Sequence, residues 1–176
     1  YGNRLPRNAQ GAVDTGLGKA VAVGRVGILA PTVLVSQPEQ ALEIDGLRFV
    51  FHNVPGSEAP AEFTFSIPEL KAYCGAELMS HTLHNLYTLR GAKVRDALKW
   101  AGYLDAALGH VQGAEVVFNQ HHWPVWGAER IRTFITMQRD TYRYLHDQTV
   151  RLMNQGLSGA EIAETLVLPK ALQDHL

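Results

Sequence analysis

The chain of 176 residues carries eight histidines, and those with chemical potential gather with carboxylates, an amide and an arginine in three short segments. The first, Pro55-Gly56-Ser57-Glu58-Ala59-Pro60-Ala61-Glu62, sets a carboxylate in a tight turn rich in proline and glycine. Charged residues held in rigid turns at strand ends are typical of metal and catalytic sites. Spacing alone fits a solvated surface glutamate at least as well. The second segment runs from Ala76 to Gly91 and holds Glu77, His81, His84, Asn85 and Arg90. His81 and His84 are three apart; on a helix they share a face and can bind one metal together. Buried, hydrogen-bonded structural histidines satisfy the same spacing. Arg90 precedes Gly91, where backbone can approach closely, and its forked donors suit the oxygen pair of a sulfate, phosphate or carboxylate. A plain surface arginine is the competing view. The third segment, Phe118 to Gly127, places His121 and His122 directly after an apolar run and before Trp123-Pro124. That pair is the best single metal-ligand signal in the chain. Adjacent residues at a strand end point to opposite sides, so one of the two is expected to bind.

The elements that must position these groups follow from periodicity. From Val21 to about Phe65 the texture is β, with Val26 to Ser36 rich in β-branched residues around Pro31. Leu42 to Phe51 reads as a hairpin around Asp45-Gly46. Glu62 to Ile67 alternates polar and apolar like a half-buried strand, and Leu70 to Cys74 fits one more. Val94, Ala97, Ala101, Leu104 and Leu108 then fall at helical steps. Ala114 to Phe118 is a short apolar strand. Ile131, Ile135, Tyr142, Leu145 and Leu152 lie along one stripe of a long helix that Gly156 stops. Ser158 with Glu161 forms a capping box that starts another helix. Strands first and helices later, with one strand between, is an α+β or layered α/β pattern.

Composition narrows the classes. The apolar fraction is 46%, the charged fraction 19% and the net charge −1; nothing points to nucleic acid or to an acidic membrane surface. The single cysteine, Cys74, excludes an internal disulfide and a cysteine-based zinc site. No apolar run approaches the roughly 20 residues a membrane span needs. The first twenty residues read as an irregular loop. Gly16-Leu17-Gly18-Lys19 is not a phosphate-binding loop, because Val13 stands where a glycine is required and Ala20 where a Ser or Thr is. The chain opens at Tyr1 in a polar stretch and reads as a piece of a longer protein; the compartment stays open, any export signal lying upstream.

Taken in order, Pro-Gly-Ser-Glu-Ala-Pro-Ala-Glu, His84-Asn-Leu-Tyr-Thr-Leu-Arg-Gly91, His121-His-Trp-Pro-Val-Trp-Gly127, Gln138-Arg139-Asp140 and Tyr144-Leu145-His146-Asp147-Gln148-Thr149 resemble the alkyl sulfatase family of the metallo-β-lactamase superfamily. The resemblance covers nearly the whole chain. It implies a mixed α/β fold, with residues 1–129 forming the C-terminal half of a metallo-β-lactamase αββα sandwich. Residues 130–176 would begin the family's helical dimerisation domain.

The resemblance further implies a binuclear zinc site that hydrolyses sulfate esters of alkyl chains, dodecyl sulfate among them, in a homodimer. By position, Glu58 would ligate one zinc, Glu77 would bridge the two and His122 would ligate the other. Asn85 and Arg90 would hold the sulfate group, and His81, His84 and His121 are candidates for outer partners that orient the ligands. Two zinc ions lower the pKa of a bridging water toward ~7. The family's His-x-His-x-Asp-His motif is absent from this sequence, so the chain supplies three of the expected protein ligands and is expected to be inactive by itself. Two alternatives stand beside this reading. One is a non-catalytic dimerisation module with a vestigial metal site; the other is a related metallo-hydrolase of phosphoesters or thioesters.

Overall fold

The computed structural model describes residues 24–25, 27–88 and 93–175. Two compact units divide the chain, residues 1–34 and residues 35–176. The glycine-rich opening lies outside the described residues. The described residues up to Gln37 form no strand despite their β-branched content. Pro31 and Pro38 offer no N–H to a ladder, which removes part of what a strand there would need.

The second unit is built on a six-stranded sheet in sequential order β1 to β6. Its first strands are β1 (Glu39–Ile44), β2 (Leu47–Asn53), β3 (Phe63–Ile67) and β4 (Ala72–Cys74). Asp45 and Gly46 both adopt positive φ, 51° and 78°. That is the turn geometry whose twist matches a two-residue hairpin, and Ile44 duly pairs with Leu47. Each of these strands is antiparallel to the next. A 3-10 turn, Pro68–Leu70, takes the first part of the expected last strand, so β4 begins only at Ala72.

The chain then leaves the sheet for a long crossover that contains α1 (Ala97–His110). It returns as β5 (Val116–Phe118) parallel to β4. A parallel pair requires such a crossover. β6 (Val125–Trp126) closes the sheet antiparallel to β5. α1 starts later than Val94, which is exposed, because the Asp96 carboxylate caps the backbone N–H groups of Leu98 and Lys99 and fixes the first turn there. The long helix α2 (Ala128–Asn154) buries Ile131, Ile135, Tyr142 and Leu152, the expected stripe apart from half-buried Leu145. Gly156 at φ 90° follows it. α3 (Gly159–Thr165) and α4 (Lys170–Gln173) complete the fold, and the Ser158/Glu161 capping box starts α3 as expected.

Register assigns the two faces of the sheet. Tyr73 pairs with Val117 and Val117 with Val125. All three join Trp100, Ala101 and Leu104 of α1 and Ile131, Ile135 and Tyr142 of α2 in one buried cluster. The helices therefore cover this face. The opposite face carries Phe49, Phe51, Phe63, Phe65 and Phe118, whose rings contact one another at 5.0 to 6.1 Å. The mixed α/β architecture expected from the sequence is the one observed.

Candidate metal centre

The crossover between β4 and β5 positions most of the candidate residues. Gly75 follows β4, and its N–H donates to the Phe118 carbonyl at 2.8 Å. A Cβ on Gly75 would stand 2.3 Å from Asn119 Oδ1. Only glycine permits this approach, and it sets the segment carrying Glu77 beside the one carrying His121. Here His121 Nε2 donates to Glu77 Oε1 at 2.6 Å.

Glu62 ties a second pair of segments together. Its Oε2 accepts from Ser57 Oγ at 2.6 Å, Glu58 N at 2.8 Å and Ala59 N at 3.3 Å. Its Oε1 accepts from Glu77 N at 3.0 Å. One carboxylate thus fixes the backbone at both Glu58 and Glu77. Backbone N–H groups bound to an ionised acceptor are among the stronger hydrogen bonds.

The result is convergence. Glu58, Glu77 and His84 each bring one donor atom, all within 4.8 Å of one another, and all three side chains are half-buried. Burial pushes the Glu77 carboxyl up, but the hydrogen bond from His121, the neighbouring Glu58 and the nearby imidazoles of His121 and His84 outweigh it, leaving it below its ordinary value. His84 Nδ1 lies 2.9 Å from the Asn85 carbonyl oxygen. A carbonyl only accepts, so Nδ1 bears a proton, and Nε2 is the nitrogen left to face a ligand. The His84 ring stacks on Trp100 at 5.5 Å, and Tyr142 Oη donates to the His84 carbonyl at 3.1 Å. Trp100 is fully buried, and its Nε1–H donates to the Leu78 carbonyl at 2.8 Å. The core of the fold therefore holds His84 from behind. Two carboxylates and an imidazole at this separation form a donor set that fits a divalent first-row ion, zinc included.

Other expected residues sit elsewhere. His81 and His84 do not share a helix; residues 75–88 form turns and irregular chain, and His81 donates from Nε2 to the Trp123 carbonyl at 3.0 Å. His122 adopts φ 69°, an uncommon conformation for a non-glycine residue. It faces Thr82 Oγ1 at 3.4 Å and the His81 ring at 5.7 Å, while His121 turns to Glu77. The two neighbours take different partners, and His122 is not one of the convergent three. Asn85 is exposed. Arg90 lies outside the described residues.

Two residues that the sequence did not single out hold the site: Glu62 and Arg95. The Arg95 side chain is 7% exposed and pairs through Nη2 with Glu58 Oε1. Its Nε donates to the Glu58 carbonyl at 2.7 Å, and its Nη1 donates to Asn85 Oδ1 at 3.0 Å and to the Asn85 carbonyl at 3.2 Å. Its only sequence signal is a charge at the start of a helical apolar stripe.

A second convergent group, Glu39, His52 and His110, lies between β1, β2 and the end of α1. Its imidazoles stack 3.7 Å apart at an angle of 16°. Lone pairs lie in the ring planes, so two nearly parallel rings do not aim at one ion. The Glu58 group is the candidate centre.

No protein-family model matches the chain. It is 46% identical over 98% of its length to a linear primary-alkylsulfatase of Pseudomonas sp. It is 44% identical over 99% of its length to the alkyl/aryl-sulfatase BDS1 of Saccharomyces cerevisiae. Among solved structures it superimposes on the stereoselective inverting sec-alkylsulfatase Pisa1 from Pseudomonas sp with a TM-score of 0.87, at 41% identity, covering 97% of this chain and 27% of that one. The chain spans 26% and 27% of the lengths of those two curated relatives. The motif resemblance therefore holds: the chain is similar to these alkylsulfatases along nearly its whole length.

Proposed function

We propose that this chain is the carboxylate-bearing stretch of a zinc-dependent alkyl sulfatase, and that the whole protein hydrolyses alkyl sulfate esters of the dodecyl sulfate kind. The observation that carries the reading is the convergence of Glu58, Glu77 and His84 in a chain so similar to alkylsulfatases. Glu58, Glu77 and His84 would hold metal. His122 and the His-x-His-x-Asp-His residues expected elsewhere in the longer protein would complete the set. Zinc, when bound, supplies Lewis acidity and lowers the pKa of water toward neutrality.

The chain's own residues do the rest. Glu77 is held below its ordinary pKa and stays ionised as a metal ligand. Asn85, exposed beside the centre, offers amide donors to a sulfate oxygen. Arg90, five residues on, supplies forked donors to the sulfate group and stabilises negative charge developing in the reaction. The longer reading includes a homodimer, with residues 130–176 beginning the dimerisation domain and residues 1–129 belonging to a metallo-β-lactamase-type catalytic domain.

The test is zinc content and dodecyl sulfate hydrolysis by the natural full-length protein, beside Glu77→Ala. About two zinc ions per chain and a collapse of sulfate release in the variant are the expected result. A full-length protein that holds no zinc and releases no sulfate would move the non-catalytic dimerisation module ahead, and sulfate release equal to the parent's without Glu77 would overturn the site assignment.

A further inference from the structure

Arg95 stands between the two halves of the proposed site, and its chemistry constrains both. A guanidinium has donors and no acceptor. Every group that faces it must therefore present an oxygen. It reaches Glu58 through one carboxylate oxygen, Oε1, and through the backbone carbonyl. Two contacts to one residue fix the orientation of the Glu58 carboxylate beside Glu77 and His84. Arg95 also reaches Asn85 Oδ1 at 3.0 Å, and this contact decides which way the amide points. The oxygen must face Arg95, so the NH₂ group, with its two donors, faces away from it. Asn85 is exposed, whereas Arg95 is buried, so that NH₂ is accessible to a ligand.

We propose that Arg95 is a positioning residue that couples the metal side of the site to its sulfate side. It fixes the orientation of the Glu58 carboxylate that would ligate metal, and it locks the Asn85 amide with its donors presented to the anionic headgroup. The proposal rests on the alkyl sulfatase reading. Its carrier is one buried fork with two arms. Glu58 and Asn85 are 27 residues apart in sequence, and Arg95 is bonded to both. Lysine keeps the charge but has no planar fork, so it cannot reproduce both contacts at once.

The experiment uses the natural full-length protein. Zinc affinity is measured by competition with a chromophoric chelator, kcat and KM are measured on dodecyl sulfate, and inorganic sulfate serves as a competitive probe. The proteins compared are the parent, Arg95→Lys, Asn85→Ala, the double variant and Asn85→Asp. In Arg95→Lys, zinc affinity falls about 10- to 100-fold, the range typical for loss of a group that orients a ligand, and KM and the sulfate inhibition constant rise together. Asn85→Ala raises KM without moving zinc affinity. Added to Arg95→Lys it raises KM little further, because the amide has already lost its orientation. A brace that served only folding would lower the yield of folded protein without producing that non-additivity. Asn85→Asp keeps an acceptor for Arg95 but has no outward donors, so it raises KM with zinc retained; it serves if Arg95→Lys does not fold.

Parent-like zinc affinity and KM in folded Arg95→Lys overturn the proposal. So does full additivity with Asn85→Ala, or an unchanged KM in Asn85→Asp. A parent that binds no zinc and leaves dodecyl sulfate intact sinks the alkyl sulfatase reading itself, and this proposal with it.

Discussion

Glu62 accepts the backbone N–H of Glu77 at 3.0 Å across fifteen residues of sequence, while its other oxygen collects Ser57, Glu58 and Ala59. The two carboxylates of the candidate centre are thus held by a third that is bonded to the backbone of both. Glu62→Gln is nearly isosteric but has one acceptor where Glu has two. Either the Glu77 N–H or the group at 57–59 then faces an amide donor. Leaving such a donor unpaired costs about 1–3 kcal/mol, so the variant unfolds at lower urea with an unchanged slope. A midpoint equal to the parent's would show that the clamp contributes nothing.

Trp100 is expected to dominate the stability of the crossover. It is fully buried, stacks on Tyr142 at 4.9 Å and donates to the Leu78 carbonyl. Trp100→Phe keeps most of the ring but orphans that carbonyl, at a cost of about 1–3 kcal/mol. Trp100→Ala also opens a cavity and costs about 3–5 kcal/mol. Equilibrium denaturation of the two variants orders the effects; a Trp100→Ala no worse than Trp100→Phe would contradict the packing described.

Acid should loosen the edge of the sheet where His52 meets His110. Burial holds the His52 imidazole below its ordinary 6.5, the neighbouring His110 lowers it further, and Glu39 offsets part of this. Burial likewise lowers His110, again with Glu39 opposing. Between the folded values and 6.5 the unfolded chain binds more protons, so stability rises with pH across that window. It is complete above about 6.5 and is lost as pH falls below it. Thermal midpoints measured from pH 7.5 down to 5 should fall, and His110→Gln should flatten the slope. A variant as acid-sensitive as the parent would place the effect elsewhere.

Cys74 should be silent in the folded protein. It is buried on β4, and burial raises its thiol above the ordinary value despite a hydrogen bond involving the Ala76 backbone. Thiolate is the reactive form, so labelling by iodoacetamide should wait for unfolding. Fast labelling under native conditions would show that β4 opens locally.

The parts of the fold legible in the sequence were those fixed by local chemistry. Asp45-Gly46 specified its hairpin, Ser158 and Glu161 specified a helix start, and the Ile131–Leu152 stripe specified α2, because each acts over a few residues. The helical spacing of His81 and His84 misled for the opposite reason. Their segment is pinned by distant partners, with Trp123 accepting from His81 and Tyr142 donating to the His84 carbonyl, and tertiary contacts override local preference. Glu58 and Glu77 were legible as candidates through their motifs. Glu62 and Arg95 were not, since a charge that works 15 or 37 residues away leaves no periodic trace.

The parallel pairing of β4 with β5 bears on when the centre can form. Glu77, His84, Asn85 and Arg95 all lie on the crossover between Cys74 and Val116, so none is anchored until both ends of that excursion are sewn into the sheet. Loop-closure entropy must be overcome before such non-local contacts repay it. The centre is therefore expected to form late in the folding reaction. Metal uptake during refolding would serve as a stopwatch for the completion of the sheet.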